Sequence, residues 1–292
     1  MKTISIIGLG RVGGALAIAL DRAGFSLDHL VYRKTPPRAE LARLPGKLLP
    51  FAKVEAIYSD LVLIATEDQQ LGLVAEGLSR LADLSKIVLH LSGSLSSDVL
   101  NILRSRGVAV GSMHPLVSIS DALLGADRFA NAYFCVEGDP DAVSAGKLLV
   151  DSLKGNSFAI ESRLKPLYHS AAVMASGHVT ALFDAAVETL SKCGLGAEAA
   201  RSVLFPLLES TIANLRVQTP SNALTGPFVR GDIEAFIRHL DAFEGTVDEN
   251  MRSVYLALAE RSVRMAEMEH PADADSVRLA EAISMAKRKT EC

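Results

Sequence analysis

The segment Thr3-Ile4-Ser5-Ile6-Ile7-Gly8-Leu9-Gly10-Arg11-Val12-Gly13-Gly14 constrains this chain more than any other. A β-branched run that breaks into Gly-x-Gly-x-x-Gly and continues as an apolar helical pattern predicts a strand, a tight turn and a helix whose N-terminus offers unpaired N–H groups to phosphates. Gly8 permits the turn, Gly10 lets backbone approach a pyrophosphate, and Gly13 lets helix pack closely on strand. Leu9, Arg11 and Val12 complete the loop, so residues 8–13 are candidate cofactor contacts. Lys2 followed by an apolar stretch to Leu20 also has the outline of a signal peptide, but Arg11 and four glycines interrupt it, and folded structure is the expectation.

The rhythm that follows predicts βαβ units and an α/β, Rossmann-type, doubly wound and mainly parallel sheet. Strands are expected at Thr3–Ile7, His29–Tyr32, Leu61–Ala65, Ile87–Leu91, Ala109–Met113, Tyr133–Glu137 and near Phe158–Glu161, with helices at Gly13–Ala23, Gln69–Leu81 and Ser96–Arg106. The run Leu61-Val62-Leu63-Ile64-Ala65 is apolar on both faces, as in a sheet covered by helices on each side. Beyond about residue 162 only helical patterns remain: Pro166–Lys192, Ala197–Val217, Asp232–Phe243, Glu249–Glu269 and Asp273–Lys289, with Asp232 and Asp273 as N-caps. The expected organisation is a cofactor-binding domain over residues 1–162 and an all-helical substrate-binding and dimerisation domain over 163–292. No Gly/Ser-rich linker separates them, which predicts close packing and a cleft.

Charge and cysteine usage narrow the function classes. Residues 1–160 carry 16 basic and 16 acidic groups, and residues 161–292 carry 14 and 18, so neither half has the positive excess of a nucleic-acid binder. No uninterrupted apolar run approaches the length that spans a bilayer, and no membrane partner is expected. Cys135, Cys193 and Cys292 are an odd number without CxxC spacing, which fits a reducing, cytoplasmic setting better than a disulfide framework. His29, His90, His178, His239 and His270 show no HxxxH or HxH ligand spacing, and a metal is not implied.

The cofactor is expected to be NADP. Where NAD enzymes carry a carboxylate for the ribose 2′-hydroxyl, this chain reads Val31-Tyr32-Arg33-Lys34. Arg33 can hold a 2′-phosphate bidentately with Lys34 as a nearby point charge, or the pair are solvated basic residues at a strand end. Two further strand ends, Ala65-Thr66 and Ser92-Gly93, are small enough to leave room for a nicotinamide ribose.

The start SIIGLGRVGGALA, the segments SDLVLIAT, HLSG and GSMHPL, and above all KPLYHSAAVMASGH and ALTGPFVRGD resemble a family of Rossmann-like, NADP-dependent oxidoreductases with a helical C-terminal domain of formerly unknown function. That family is similar in outline to ketopantoate reductase, pyrroline-5-carboxylate reductase and the β-hydroxyacid dehydrogenases. The resemblance spans nearly the whole chain and implies hydride transfer from NADPH to a small molecule, such as a 2-keto acid like ketopantoate, in a homodimer joined through the helical domain. Family members commonly carry Asn where this chain has Gly177, so that polar contact is missing.

Reduction of a carbonyl needs a proton donor beside the reacting carbon. Lys165 and His169 stand four residues apart, toward one side of a helix. The resemblance implies Lys165 as general acid or oxyanion stabiliser and His169 as substrate orienter or alternative acid. A solvated helix-start lysine beside Pro166, and a core histidine, are the competing readings. His114, before Pro115 at a strand end, either contacts a substrate carboxylate or caps a loop. Asn214 interrupts an apolar helix pattern, while Thr225 and Arg230 lie in the loop Leu224–Asp232. These three are candidate substrate contacts, with Arg230 either clamping a carboxylate or pairing with Asp232. The competing functions are oxidation of a hydroxy or cyclohexadienyl acid, as in prephenate dehydrogenases, and a non-catalytic NADP-binding regulatory protein.

Overall fold

A computed structural model describes residues 1–269 and 273–290. His270 and Cys292 lie outside the described residues. The chain divides into two compact units, residues 1–177 and 178–292.

The first unit is built on one eight-stranded sheet in the order β3-β2-β1-β4-β5-β6-β7-β8. The strands are β1 (Thr3–Ile7), β2 (Ser26–Tyr32), β3 (Lys47–Pro50), β4 (Leu61–Ile64), β5 (Ile87–His90), β6 (Ala109–Pro115), β7 (Tyr133–Gly138) and β8 (Asn156–Phe158). All pairings are parallel except β6 with β7. The helices of this unit are α1 (Arg11–Arg22), α2 (Asp68–Ser79), the short α3 (Asn101–Arg104) and α4 (Ala122–Gly125), α5 (Pro140–Ser152) and α6 (Lys165–Ala175). One core cluster joins Ile4, Ile6, Leu16, Leu20, Leu63, Leu89 and Phe134, and another joins Ile7, Val62, Ile64, Leu71, Leu78 and Val110. Alternate residues of β1 and β4 thus enter different clusters, which is why these strands read as unbroken apolar runs.

Several elements differ from the sequence expectation. Strand β3 was not foreseen, because Lys47-Leu48-Leu49-Pro50 is short and ends in proline, which an edge strand tolerates. The helix expected over Ser96–Arg106 is a 3₁₀ turn (Ser97–Leu100) followed by α3. The long helix expected over Pro166–Lys192 breaks at Ser176 into α6 and α7 (Gly177–Ser191). There the Ser176 hydroxyl donates to the Ala172 carbonyl at 2.7 Å and its N–H bonds three residues back to Val173, so side chain and tightened backbone replace the regular ladder.

The second unit holds the remainder of α7, α8 (Ala197–Val217), the short α9 (Pro220–Ala223), α10 (Ile233–Phe243), α11 (Glu249–Glu269) and α12 (Ala274–Thr290). Its core gathers Phe236, Leu256, Ala259, Val263, Leu279 and Ile283. Asp232 caps α10 through the Ala235 N–H, and Asp273 accepts from the Ser276 N–H. Ser162–Ser191 includes an 18-residue window of mean hydropathy 1.2, none of it buried within the chain, and is the one helical stretch among the described residues long and apolar enough to cross a membrane.

Candidate active site

The glycine loop has the geometry its spacing predicts. Gly8 adopts φ +100°, and a side chain there would meet the Ala65 carbonyl oxygen at 2.7 Å. A Cβ on Gly13 would fall 1.9 Å from the Gly8 carbonyl oxygen, so the loop closes over α1 only because that residue is glycine. Around Gly10, by contrast, nothing lies within 4 Å of where a side chain would stand. Gly10 is the N-cap of α1 and supplies no side-chain cap, and no acidic residue occupies the first turn. The orphan N–H groups and the positive end of the helix therefore face open space, which suits an anion.

Gly8, Leu9, Gly10, Tyr32, Arg33, Lys34, Ala65 and Thr66 line one cleft of about 480 Å³. Arg33 and Lys34 are exposed at the end of β2. The cleft also includes Thr35–Arg38, which sequence reasoning missed; Arg38 is anchored to Asp121 at 2.6 Å. Thr66, which borders the cleft, has its Oγ1 buried without a hydrogen-bond partner. Open backbone donors at one end, two basic side chains at another and this orphaned hydroxyl together fit a phosphorylated dinucleotide. Of the remaining loop candidates, Arg11 is exposed at the start of α1, Val12 packs against the core and Gly13 is buried.

One strand further across the sheet, the ends of β5 and β6 meet α6. Ser92, Gly93, His114, Lys165 and His169 come together here, joined by three residues the sequence reading did not single out: Ser112, Glu137 and Tyr168. Lys165 is fully buried. Its ammonium donates to the Ser92 carbonyl at 2.9 Å and to the Ser112 hydroxyl, and lies 3.7 Å from Glu137 Oε1. Glu137 in turn accepts from the Ser97 N–H at 2.8 Å, the Ser97 hydroxyl at 2.9 Å and the Ser162 hydroxyl at 3.1 Å. Burial pulls the lysine's pKa down, and Glu137 opposes that pull. The lysine is not solvated: its ammonium has two hydrogen-bond acceptors and an ion-pair partner inside the protein. The clue in the sequence was Glu137 itself, a carboxylate in the otherwise apolar strand Tyr133-Phe134-Cys135-Val136.

The imidazoles are arranged differently. His114 Nδ1 lies 2.6 Å from the Tyr168 hydroxyl, and the rings of His114 and His169 meet edge to face at 5.6 Å. His169 Nδ1 is buried without a partner. A Cβ on Gly93 would stand 2.4 Å from His169 Nδ1 and 2.8 Å from His114 Nε2, so both rings pack directly on this residue and only glycine fits beneath them. Burial, reinforced by His169 and Lys165, pushes His114 down to about 4, so its ring is neutral near pH 7. His90, buried behind them, is pushed down to about 3 by burial; it accepts from the Ser92 N–H and contacts the Ser96 carbonyl, shaping the loop that carries Gly93. Burial pushes the Tyr168 hydroxyl upward.

Asn214, Thr225 and Arg230 all lie in the second unit. Each is exposed, and no ion pair forms between Arg230 and Asp232, whose carboxylate caps α10 instead. Arg230 borders a surface depression with Phe228, Glu267 and Asp273.

Comparison with known proteins follows the division of the chain. A family model described as a Rossmann-like domain matches residues 2–115, and one described as a domain of unknown function (DUF2520) matches residues 132–262. The sequence has no match among curated proteins. Among solved structures, the fold resembles a candidate NADP oxidoreductase from Bacteroides fragilis, with 22% identity, a TM-score of 0.75, and coverage of 90% of this chain and 98% of that one. It also resembles Plasmodium falciparum pyrroline carboxylate reductase with NADP bound, at 14% identity and a TM-score of 0.58 over 91% and 98% of the two chains. An imine reductase from Myxococcus stipitatus in complex with NADP+ gives 16% identity and a TM-score of 0.58 over 90% and 94%.

Proposed function

We propose, for a chain that pairs a Rossmann-like domain with a DUF2520 domain, that it is an NADPH-dependent reductase of a small carbonyl or imine compound. The observation that carries this reading is the juxtaposition just described: an anion cradle ending at Thr66 and, one strand across, the imidazoles of His114 and His169 packed against Gly93. Parallel neighbours in a sheet lie about 4.8 Å apart, so the two features are within the span of one extended cofactor. The names of the similar solved structures, an NADP oxidoreductase and two NADP-bound reductases of C=N compounds, point the same way.

NADPH, when bound, supplies the hydride. The glycine loop and the α1 N-terminus would hold its pyrophosphate, and Arg33 with Lys34 its 2′-phosphate. His114 steadies the substrate heteroatom. As the C=O or C=N π pair collapses onto that atom, His169 gives it a proton. Lys165 and Glu137 keep the floor of the site in place. Nothing in this arrangement singles out ketopantoate, and a 2-keto acid is one member of the class to be tried.

The test is fluorescence titration with NADPH and NADH, followed by addition of 2-keto acids and cyclic imines. Arg33→Ala is expected to weaken NADPH binding about 10- to 100-fold, the loss of one charge-assisted bidentate contact, while NADH binding changes less than two- to three-fold. Equal losses for both nucleotides would remove the 2′-phosphate assignment. Tight NADPH binding without turnover of any compound would favour the regulatory reading.

The apolar side chains Val203, Phe205, Leu207, Ile212, Leu215 and Val217 of α8, and Val179 and Leu182 of α7, are exposed, and exposed apolar surface of this kind marks interaction sites. Glu209, Asn214 and Arg216 are interspersed among them, which suits a protein partner better than lipid. We read this surface as the seam of a homodimer. Light scattering on the purified chain is expected to give twice the 31.1 kDa of one subunit, and a strictly monomeric mass at micromolar concentration would reject the dimer.

A further inference from the structure

Three basic side chains line the cofactor cleft beyond the end of β2: Arg33, Lys34 and Arg38. Among the described residues Arg33 and Lys34 have no acidic partner, whereas the Arg38 guanidinium donates to Asp121 Oδ2 at 2.6 Å. The other oxygen of that carboxylate accepts from the Leu123 and Leu124 N–H groups at the start of α4. These backbone bonds, with Arg38 behind them, hold the Asp121 carboxyl below the usual carboxylate range, so it is charged near pH 7. The pair closes a junction that packing has already fixed. Leu41, three residues beyond Arg38, is buried, and Ala122 follows Asp121; both lie against Gly14 of α1, where a Cβ would stand 2.7 Å from Leu41 and 3.0 Å from Ala122. The Arg38 carbonyl accepts from the Leu41 and Ala42 N–H groups. Between Lys34 and this junction stand Pro36 and Pro37, whose rings fix φ and stiffen the link. The segment 33–38 is therefore tied at one end to β2 and at the other to α1, the helix whose N-terminus opens on the cleft.

We infer that Arg38 is an anchor: through Asp121 it holds the segment 33–38 against α1, so that Arg33 and Lys34 are presented together to the 2′-phosphate of NADPH. This rests on the reading of Arg33 and Lys34 as the 2′-phosphate site. The charge of Arg38 is already answered by Asp121, and a phosphate brought to the same guanidinium would be repelled by that carboxylate. Without the tie, the two free cations would have to be ordered as the cofactor binds, and that ordering is subtracted from affinity. Arg38 is on this account a positioning residue that sets the preference for NADPH over NADH by acting through Arg33 and Lys34.

The experiment titrates the full chain with NADPH and, separately, with NADH. Asp121→Asn breaks the ion pair but keeps the cap of α4, since Asn serves at an N-cap as well as Asp. It is expected to weaken NADPH binding about two- to fivefold, the range an exposed ion pair supplies, and to leave NADH binding unchanged. Arg38→Gln should give the same selective loss, and the double variant no more than either single one, because both changes break one contact. The Arg38 side chain is 65% exposed, so Arg38→Gln decides the matter even if Asp121→Asn fails to fold. Were Arg38 itself a phosphate contact, freeing it from Asp121 would strengthen NADPH binding, and Arg38→Gln would cost far more than Asp121→Asn; either result overturns the anchor. Equal losses for NADPH and NADH overturn it too, since they report a general loosening of the fold. Arg33→Ala is the control. A selective NADPH loss there, with none in the Arg38 and Asp121 variants, rejects the anchor alone; no selective loss in Arg33→Ala rejects the 2′-phosphate reading and the anchor with it.

Discussion

Replacing Lys165 by Met is expected to destabilise the first unit by about 3–5 kcal/mol, the cost of removing one partner from a buried ion pair. The size follows from what the ammonium touches. It ties the Ser92 carbonyl at the end of β5, the Ser112 hydroxyl on β6 and the Glu137 carboxylate on β7, so one charge joins three adjacent strands to α6. Methionine matches the volume but leaves Glu137, only 6% exposed, as a buried carboxylate with hydroxyl and amide donors and no counter-charge. Because the chain has two units, a single unfolding free energy is ill-defined. The appropriate measurement is native-state hydrogen exchange at the β5, β6 and β7 amides. The double variant Lys165→Met/Glu137→Gln should recover part of the loss, since it removes the stranded charge as well. Destabilisation below about 1 kcal/mol in the single variant would mean that the lysine is not the clamp described here.

The contrast between Lys165 and the glycine loop shows what a sequence makes legible. Residues 8–13 could be read in advance because each requirement is local: a positive φ at Gly8 and backbone contacts at Gly13 are consequences of a strand–turn–helix within a dozen residues. The positions of most strands of the central sheet and the caps at Asp232 and Asp273 are legible for the same reason. The fate of Lys165 was not local. Its partners are 73, 53 and 28 positions away, and only the antiparallel return of β7 beside β6 carries Glu137 under it. Tyr168 was hidden differently. Adjacent in sequence to His169, it looked like part of a helix pattern, and its meaning lies in a bond to His114, which the register of β6 brings to the same place. The break at Ser176 left no such mark: its hydroxyl bonds back to Ala172 as those of Ser144 and Ser202 do in helices that continue, and the departure is in its backbone, at φ −129° and ψ −78°.

His169→Phe is expected to lower turnover by about 10²- to 10⁴-fold, the range that general acid catalysis supplies, while NADPH affinity stays within about two-fold. We propose His169 rather than Lys165 as the proton donor because its Nδ1 is not already bonded within the protein. A donor must reach the developing negative charge, and the fully buried Lys165 ammonium already bonds to Ser92 and Ser112, with Glu137 3.7 Å away. His169 Nδ1 has no protein partner and lies against Gly93. Because the His169 side chain is half-buried and bonds to no other residue through Nδ1, its replacement should leave the fold intact, whereas a Lys165 variant confounds chemistry with stability. Phe keeps the ring's bulk against His114, so the loss reports the missing proton rather than a cavity. In the smaller His169→Ala variant, added imidazole should restore part of the lost rate by occupying the vacated space and donating the same proton. Wild-type turnover in His169→Phe would show that the proton comes from elsewhere, with the Tyr168–His114 pair the next source to test. A fall in NADPH affinity equal to the fall in rate would instead make His169 a cofactor contact, and would move the reaction site away from Gly93.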